Sequence, residues 1–127
     1  MIFIEVFLSD TLYPEEGNSR MKAKDNFKKG SLEMLILKLL SVQDCYGYQL
    51  TQILKQESNG LIQIPSGSLY PTLYKLLDNG YITEYTVKSG KRQERIYYHL
   101  EESGVDYLKE QIDAYRSISH AILKILE

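Results

Sequence analysis

From residue 30 onward, apolar positions recur every three or four residues in three successive stripes, then alternate in two short runs, then return to helical spacing. The first stripe, Leu32, Leu35, Ile36, Leu39 and Leu40, is widened by Met34 and Leu37 and predicts a heavily buried helix from Gly30 to Leu40. A turn over Ser41 to Tyr46 leads through Gly47 to Leu50, Ile53 and Leu54, a short second helix with Ser58-Asn59-Gly60 suited to a left-handed cap. Pro65-Ser66-Gly67-Ser68 supplies a breaker and a cap for the third stripe, Leu69, Leu73, Leu76 and Leu77, which Asn79-Gly80 closes. Pro71 lacks an N–H and is best tolerated near a helix start, where that N–H would be unpaired, so the helix is expected to begin at Ser66 to Ser68. At about 100° per residue, Gly67, Ser68, Pro71, Tyr74 and Lys75 face away from the leucines.

Tyr81 to Val87 and Arg95 to Leu100 are rich in Tyr, Ile, Thr and Val, and Lys88-Ser89-Gly90-Lys91 between them reads as the turn of a hairpin. Ile96, Tyr98 and Leu100 would face one side of it, and Arg95, Tyr97 and His99 the other. In the last segment Leu108, Ile112, Tyr115, Ser119, Ile122 and Leu126 are spaced 4, 3, 4, 3 and 4 residues apart, a heptad-like seam that asks for a partner helix. The fold class expected is therefore mainly α with a small β-hairpin: a winged helix-turn-helix over residues 28–100 and a C-terminal dimerisation helix over 101–127. Residues 1–27 read as an N-terminal extension. Glu15-Glu16-Gly17 require purine-rich codons three codons before Met21, where a ribosome-binding sequence would lie, which points to a start at Met21. The alternative is that Ile2 to Leu8 forms an edge strand or arm.

Composition changes this picture little. With 43% hydrophobic and 25% charged residues, the 127-residue chain matches an ordinary globular domain. Its one cysteine, Cys45, excludes an intrachain disulfide and a paired-cysteine metal motif. Met1 to Leu8 is apolar but carries Glu5 and falls far short of the roughly 20 residues of a membrane helix. A cytoplasmic protein without signal peptide, membrane anchor, metal or cofactor is expected.

Charge changes it more. The net value of −2 hides an uneven distribution: four acids and one base up to Arg20, eleven bases and seven acids from Met21 to Leu100, six acids and three bases thereafter. A basic centre suits phosphates, because association follows local potential. Lys75 and Tyr74 lie opposite the leucines, able to meet a phosphate or a base edge, and the N–H groups at that helix start form a phosphate site. In the hairpin Lys88, Lys91, Arg92 and Arg95 stand against Glu94. The blander readings remain: Ser66 only caps, Tyr70 only packs, Pro71 only fixes the turn, and the basic turn is solvated surface. An enzyme would need a constellation, and no spacing joins Cys45, His99 and His120.

Several motifs then agree. Gly30-Ser31-Leu32-Glu33, Tyr46-Gly47-Tyr48-Gln49-Leu50 and Ser66-Gly67-Ser68-Leu69-Tyr70-Pro71-Thr72-Leu73, followed by Gly80-Tyr81-Ile82, the segment Gly90 to Tyr98 and Gly104, keep a common order and spacing. Over about Phe27 to Leu126 the chain resembles the PadR family of transcriptional regulators. It departs at Ser68, where many members have Thr, and at Glu101, a poorer N-cap than the usual Thr, so that either Ser103 caps a shorter last helix or its start frays. The resemblance implies a DNA-binding homodimer of the short subgroup with one C-terminal helix, most naturally a repressor on an inverted-repeat operator. It carries Ser66, Gly67, Ser68, Tyr70, Pro71, Thr72, Tyr74, Lys75, Lys88, Lys91, Arg92 and Arg95 as DNA-contacting residues, with the seam as the dimer interface. Relatives that bind flat aromatic effectors do so between tryptophans. This chain has none, and Tyr115 is the nearest aromatic, for a small aromatic effector or for packing against its symmetry mate. The competing function is a winged-helix protein-interaction module that reads no DNA.

Overall fold

The computed structural model describes residues 31–127. Residues 31–42 are helical (α1). There follow β1 (Cys45–Tyr46), α2 (Gly47–Glu57), α3 (Ser66–Asp78), β2 (Ile82–Ser89), β3 (Gln93–Leu100) and α4 (Glu102–Leu126). The N-terminal extension, the start at Met21 and the beginning of the first helix lie outside the described residues.

Both helix ends expected from Asn and Gly form. After α2, Asn59 adopts φ 53°, the Gly60 N–H donates to the Lys55 carbonyl at 2.8 Å and the Asn59 N–H to Gln56. After α3, the Tyr81 N–H reaches the Leu76 carbonyl and the Gly80 N–H that of Leu77, both at 3.0 Å. This pairing satisfies carbonyls that a helix end would otherwise leave free.

Four sequence expectations change. Cys45 and Tyr46, read as turn, form a two-residue strand opposite Tyr98 and Tyr97, which makes the hairpin a three-stranded antiparallel sheet in the order β1-β3-β2. Two residues are too few to show a period, and only β3 makes them a strand. The hairpin strands run longer than their apolar runs, Ile82–Ser89 against Gln93–Leu100, because backbone pairing continues as far as Ser89↔Gln93. Pro71 is the sixth residue of α3, not part of its unpaired first turn, so the Gly67 carbonyl loses a partner. Both residues are exposed, and water can supply the missing bond. Finally, α4 neither frays nor starts at Ser103. Glu101 occupies the N-cap without a side-chain cap, its carboxylate accepts from the Thr83 hydroxyl at 2.8 Å, and the Ser103 hydroxyl donates to the Gly80 carbonyl at 2.8 Å.

One core joins all these elements: Leu32, Ile36, Leu37 and Leu40 of α1, Cys45 of β1, Leu50 and Leu54 of α2, Leu69, Leu73 and Leu76 of α3, Ile82 and Tyr98 of the sheet, and Leu108 of α4. No polar or charged side chain is fully buried among the described residues. At about 1.5–3 kcal/mol per fully buried large apolar side chain, this layer supplies most of the driving force. The α4 start is pressed hard against it: at the buried Gly104 an added Cβ would collide with the Tyr81 carbonyl oxygen. The docking is further fixed by Tyr107, which stacks on Tyr81 with ring centroids 4.2 Å apart.

Candidate nucleic-acid interface

Burying Leu69, Leu73 and Leu76 fixes the rotation of α3, and the opposite face is left open. Gly67, Ser68, Pro71, Tyr74 and Lys75 are all exposed, as the helical period predicted, and so is Ser66. Thr72 is half-buried and its hydroxyl donates back to the Ser68 carbonyl at 2.9 Å, so it is occupied within the helix. Pro65 accepts the N–H groups of Ser68 and Leu69, while those of Ser66 and Gly67 have no acceptor among the described residues. Two free amides at the positive end of a helix suit an anion.

Beside this helix, the hairpin turn projects Lys88, Lys91 and Arg92 around a shallow hollow of about 290 Å³ that Gln93 and Glu94 also line. None of these three cations has an ion pair among the described residues. Two expected cations are already engaged. The Arg95 guanidinium lies over the Tyr46 ring at 4.6 Å, and the Lys75 ammonium stands 3.5 Å from Glu33 Oε1. That oxygen is buried and makes no hydrogen bond, and the other carboxylate oxygen accepts from the Tyr107 hydroxyl at 3.3 Å. Glu33 therefore links α1, α3 and α4, a role that its place in a motif did not reveal.

The outer face of the sheet carries tyrosines across all three strands. Tyr97 stacks on Tyr85 at 5.7 Å and meets Tyr46 edge-on at 5.4 Å. Next to them Asp44 accepts from the Tyr85 hydroxyl at 2.6 Å and pairs with His99 Nδ1 at 2.8 Å. The Tyr85 and His99 hydrogen bonds hold the Asp44 carboxyl below its usual range. The same contacts raise the other two, the His99 imidazole through Asp44 and the Tyr85 phenol to about 12. Burial pushes the Tyr98 phenol to about 12 as well. Cys45, behind this face, is buried in the core with its thiol pushed up by desolvation.

The expected dimer seam divides in two. Leu108 is only 6% exposed in this chain's own core and so is not free for a partner, while Ile112 packs against that core and is half-buried. This corrects the heptad reading: the first turns of α4 are used within the chain, because Gly104 lets them approach closely. Beyond them Tyr115, Ile122 and Leu126 are exposed, and Ser119 is half-buried. Ile118 and Leu123, absent from the expected seam, are 61% and 59% exposed. With Met34 of α1, Tyr115, Ile118, Ile122 and Leu123 line an apolar groove of about 510 Å³. A strict 4-3 count passed over the second apolar row, although Ile118 and Leu123 are themselves visible in the sequence.

Residues 36–110 match the family described as transcriptional regulator PadR-like. The chain is 31% identical over 91 residues to the negative transcriptional regulator PadR of Bacillus subtilis, a match covering 72% of this chain and 50% of that protein. It thus spans about half the length of that curated relative. Among solved structures, a PadR-family regulator from Eggerthella lenta superposes with a TM-score of 0.76 at 26% identity, covering 92% of this chain and 97% of that one. Bacillus subtilis PadR in complex with operator DNA superposes with a TM-score of 0.60 at 33% identity, covering 64% of this chain and 46% of that one.

Proposed function

The chain belongs to the PadR-like family of transcriptional regulators, and from that premise we propose that it is a sequence-specific DNA-binding repressor that acts as a homodimer on an inverted-repeat operator. The observation that carries the reading is the open face of α3, with Ser68, Tyr74 and two free amides, beside a hairpin tip whose Lys88, Lys91 and Arg92 have no ion pair among the described residues. In this reading α3 enters the major groove and the hairpin tip meets the adjacent backbone. Residues 28–100 form the DNA-binding unit, and the chain beyond them supplies the partner helix. Lys75 reaches a phosphate by leaving Glu33, and Arg95 reaches one by leaving Tyr46. The relative bound to operator DNA and the relative named as a negative regulator support DNA binding and repression here. PadR-like proteins are regulators, so catalysis forms no part of the proposal.

Dimerisation rests on the apolar outer half of α4, too extensive a row to leave in water. A two-fold dimer presents its reading helices about 34 Å apart, matching half-sites one helical turn apart. The groove between Met34 and α4 is where a small aromatic effector would enter, with Tyr115 at its wall.

The test is selection of duplexes from a random library, followed by binding titrations at several salt concentrations. A palindromic site is expected, with log K falling by about 0.9 per neutralised phosphate for each unit of log salt. Replacing Ser68 and Tyr74 by alanine should erode preference for that site by about 1–3 kcal/mol and leave the salt slope nearly intact. Binding that selects no site and ignores salt would leave the interaction module as the function.

A further inference from the structure

Tyr70 lies between the face that would read DNA and the body that supports it. It is 36% exposed, follows the buried Leu69 and precedes Pro71 in α3, and its ring is 6.3 Å from that of Tyr74. Together with Gly47 and Tyr48 of α2 and Arg95, Ile96 and Tyr98 of β3, it lines a groove of about 270 Å³. Three elements therefore meet at one side chain. The contact with α2 is the closest: a Cβ built on the buried Gly47 would stand 2.6 Å from the Tyr70 hydroxyl oxygen and 3.0 Å from the ring carbon that bears it. Gly47 is the first residue of α2, so no unusual backbone demands glycine there. What a side chain there would meet is the end of the Tyr70 ring, which would have to shift to make room for it.

We propose that Tyr70 is a positioning residue: its phenol fills the place that a side chain at Gly47 would take, and so fixes the spacing of α3 from α2 and from the hairpin rather than reading a base. The proposal rests on the DNA-binding reading, because the spacing it sets is the one at which α3 and the hairpin tip would engage a duplex together. A base-reading tyrosine would need its hydroxyl turned toward the groove of the DNA, whereas here the hydroxyl points at the backbone of a neighbouring helix.

A double-substitution cycle tests this. The full chain would be compared with Gly47→Ala, Tyr70→Phe and the pair together, on the duplex selected by the unaltered protein and on a scrambled duplex of equal composition. Alanine is the better helix former, so propensity alone favours Gly47→Ala. The close approach predicts the reverse, with a lower melting temperature and roughly tenfold weaker binding to the selected duplex. Tyr70→Phe should bind within about twofold of the unaltered protein, since the ring stays. The double variant, with the clashing oxygen gone, should be more stable and bind more tightly than Gly47→Ala alone.

A tenfold loss of selectivity from Tyr70→Phe would make the hydroxyl a direct DNA contact and overturn the proposal. So would a double variant no better than Gly47→Ala, or a Gly47→Ala protein indistinguishable from the original. If Gly47→Ala does not fold, recovery of folding in the double variant supports the proposal, and failure of both overturns it. If the unaltered protein selects no duplex, the DNA reading fails by itself. The melting cycle then still decides whether the phenol occupies the Gly47 niche.

Discussion

The winged unit and the outer half of α4 solve the burial problem in opposite ways. In the winged unit every leucine of the α3 stripe except the half-buried Leu77 is buried, and the open face of that helix offers the Ser66, Ser68 and Tyr74 hydroxyls, two amides and Lys75. In α4 beyond Ile112 the apolar residues are outward, with Ile125 82% exposed. The first region is complete as one chain and presents groups that suit a polyanion. The second presents groups that suit another apolar surface. A seam read from sequence therefore says that a helix face is apolar, not which part of it the chain covers for itself.

The largest effect should come from charge placed in that open row. Ile118→Asp with Ile122→Asp should dissociate a homodimer by more than about a hundredfold, since an unpaired charge buried at an interface costs about 3 kcal/mol or more. The winged unit should melt as before. Sedimentation checks this, and an unaltered protein that is already monomeric would end the contrast between the regions.

The next effect tests the junction. Gly104→Ala should lower stability by about 1–3 kcal/mol in a denaturant titration, because the new methyl meets the Tyr81 carbonyl and the side chain of Leu100. An unchanged midpoint would show that the start of α4 is not held against the sheet as tightly as described.

Smaller again, Lys91→Ala with Arg92→Ala should weaken binding to selected and scrambled duplexes alike and reduce the salt slope by about 0.9 for each phosphate left without its cation. Stability should stay within about 0.5 kcal/mol, as is usual for exposed positions. A change in site preference instead would move these cations from backbone binding to sequence reading.

The smallest concerns the sheet's outer face. His99 titrates higher in the folded chain than its ordinary value of 6.5 because of Asp44, so its pairing stabilises fully below that value and is lost as pH rises through the folded value. The lowered Asp44 carboxyl stabilises above its ordinary 3.8, and that contribution is lost as pH falls through the folded value. The gap in melting temperature between the protein and His99→Gln should be measurable near about pH 5.5 and shrink by about pH 8.5, a small effect for an exposed pair. A gap that grows with pH would contradict the pairing.

Much of this was legible in the sequence because it depends on short-range periodicity. Leu69, Leu73 and Leu76 declare the buried face of α3, and Ser68, Tyr74 and Lys75 the open one, without knowledge of any other element. Asn79-Gly80 stops that helix wherever it is placed, since the cap is local hydrogen bonding. Tertiary structure decided the rest. Cys45 and Tyr46 become a strand only because β3 arrives beside them, and Leu108 leaves the dimer seam only because Gly104 admits the Tyr81 carbonyl. Lys75 and Arg95 look free in the chain and are engaged in the fold, by partners 42 and 49 residues away in sequence. Periodicity reports which face of an element is apolar. What each face meets depends on residues distant in the chain, which no local pattern encodes.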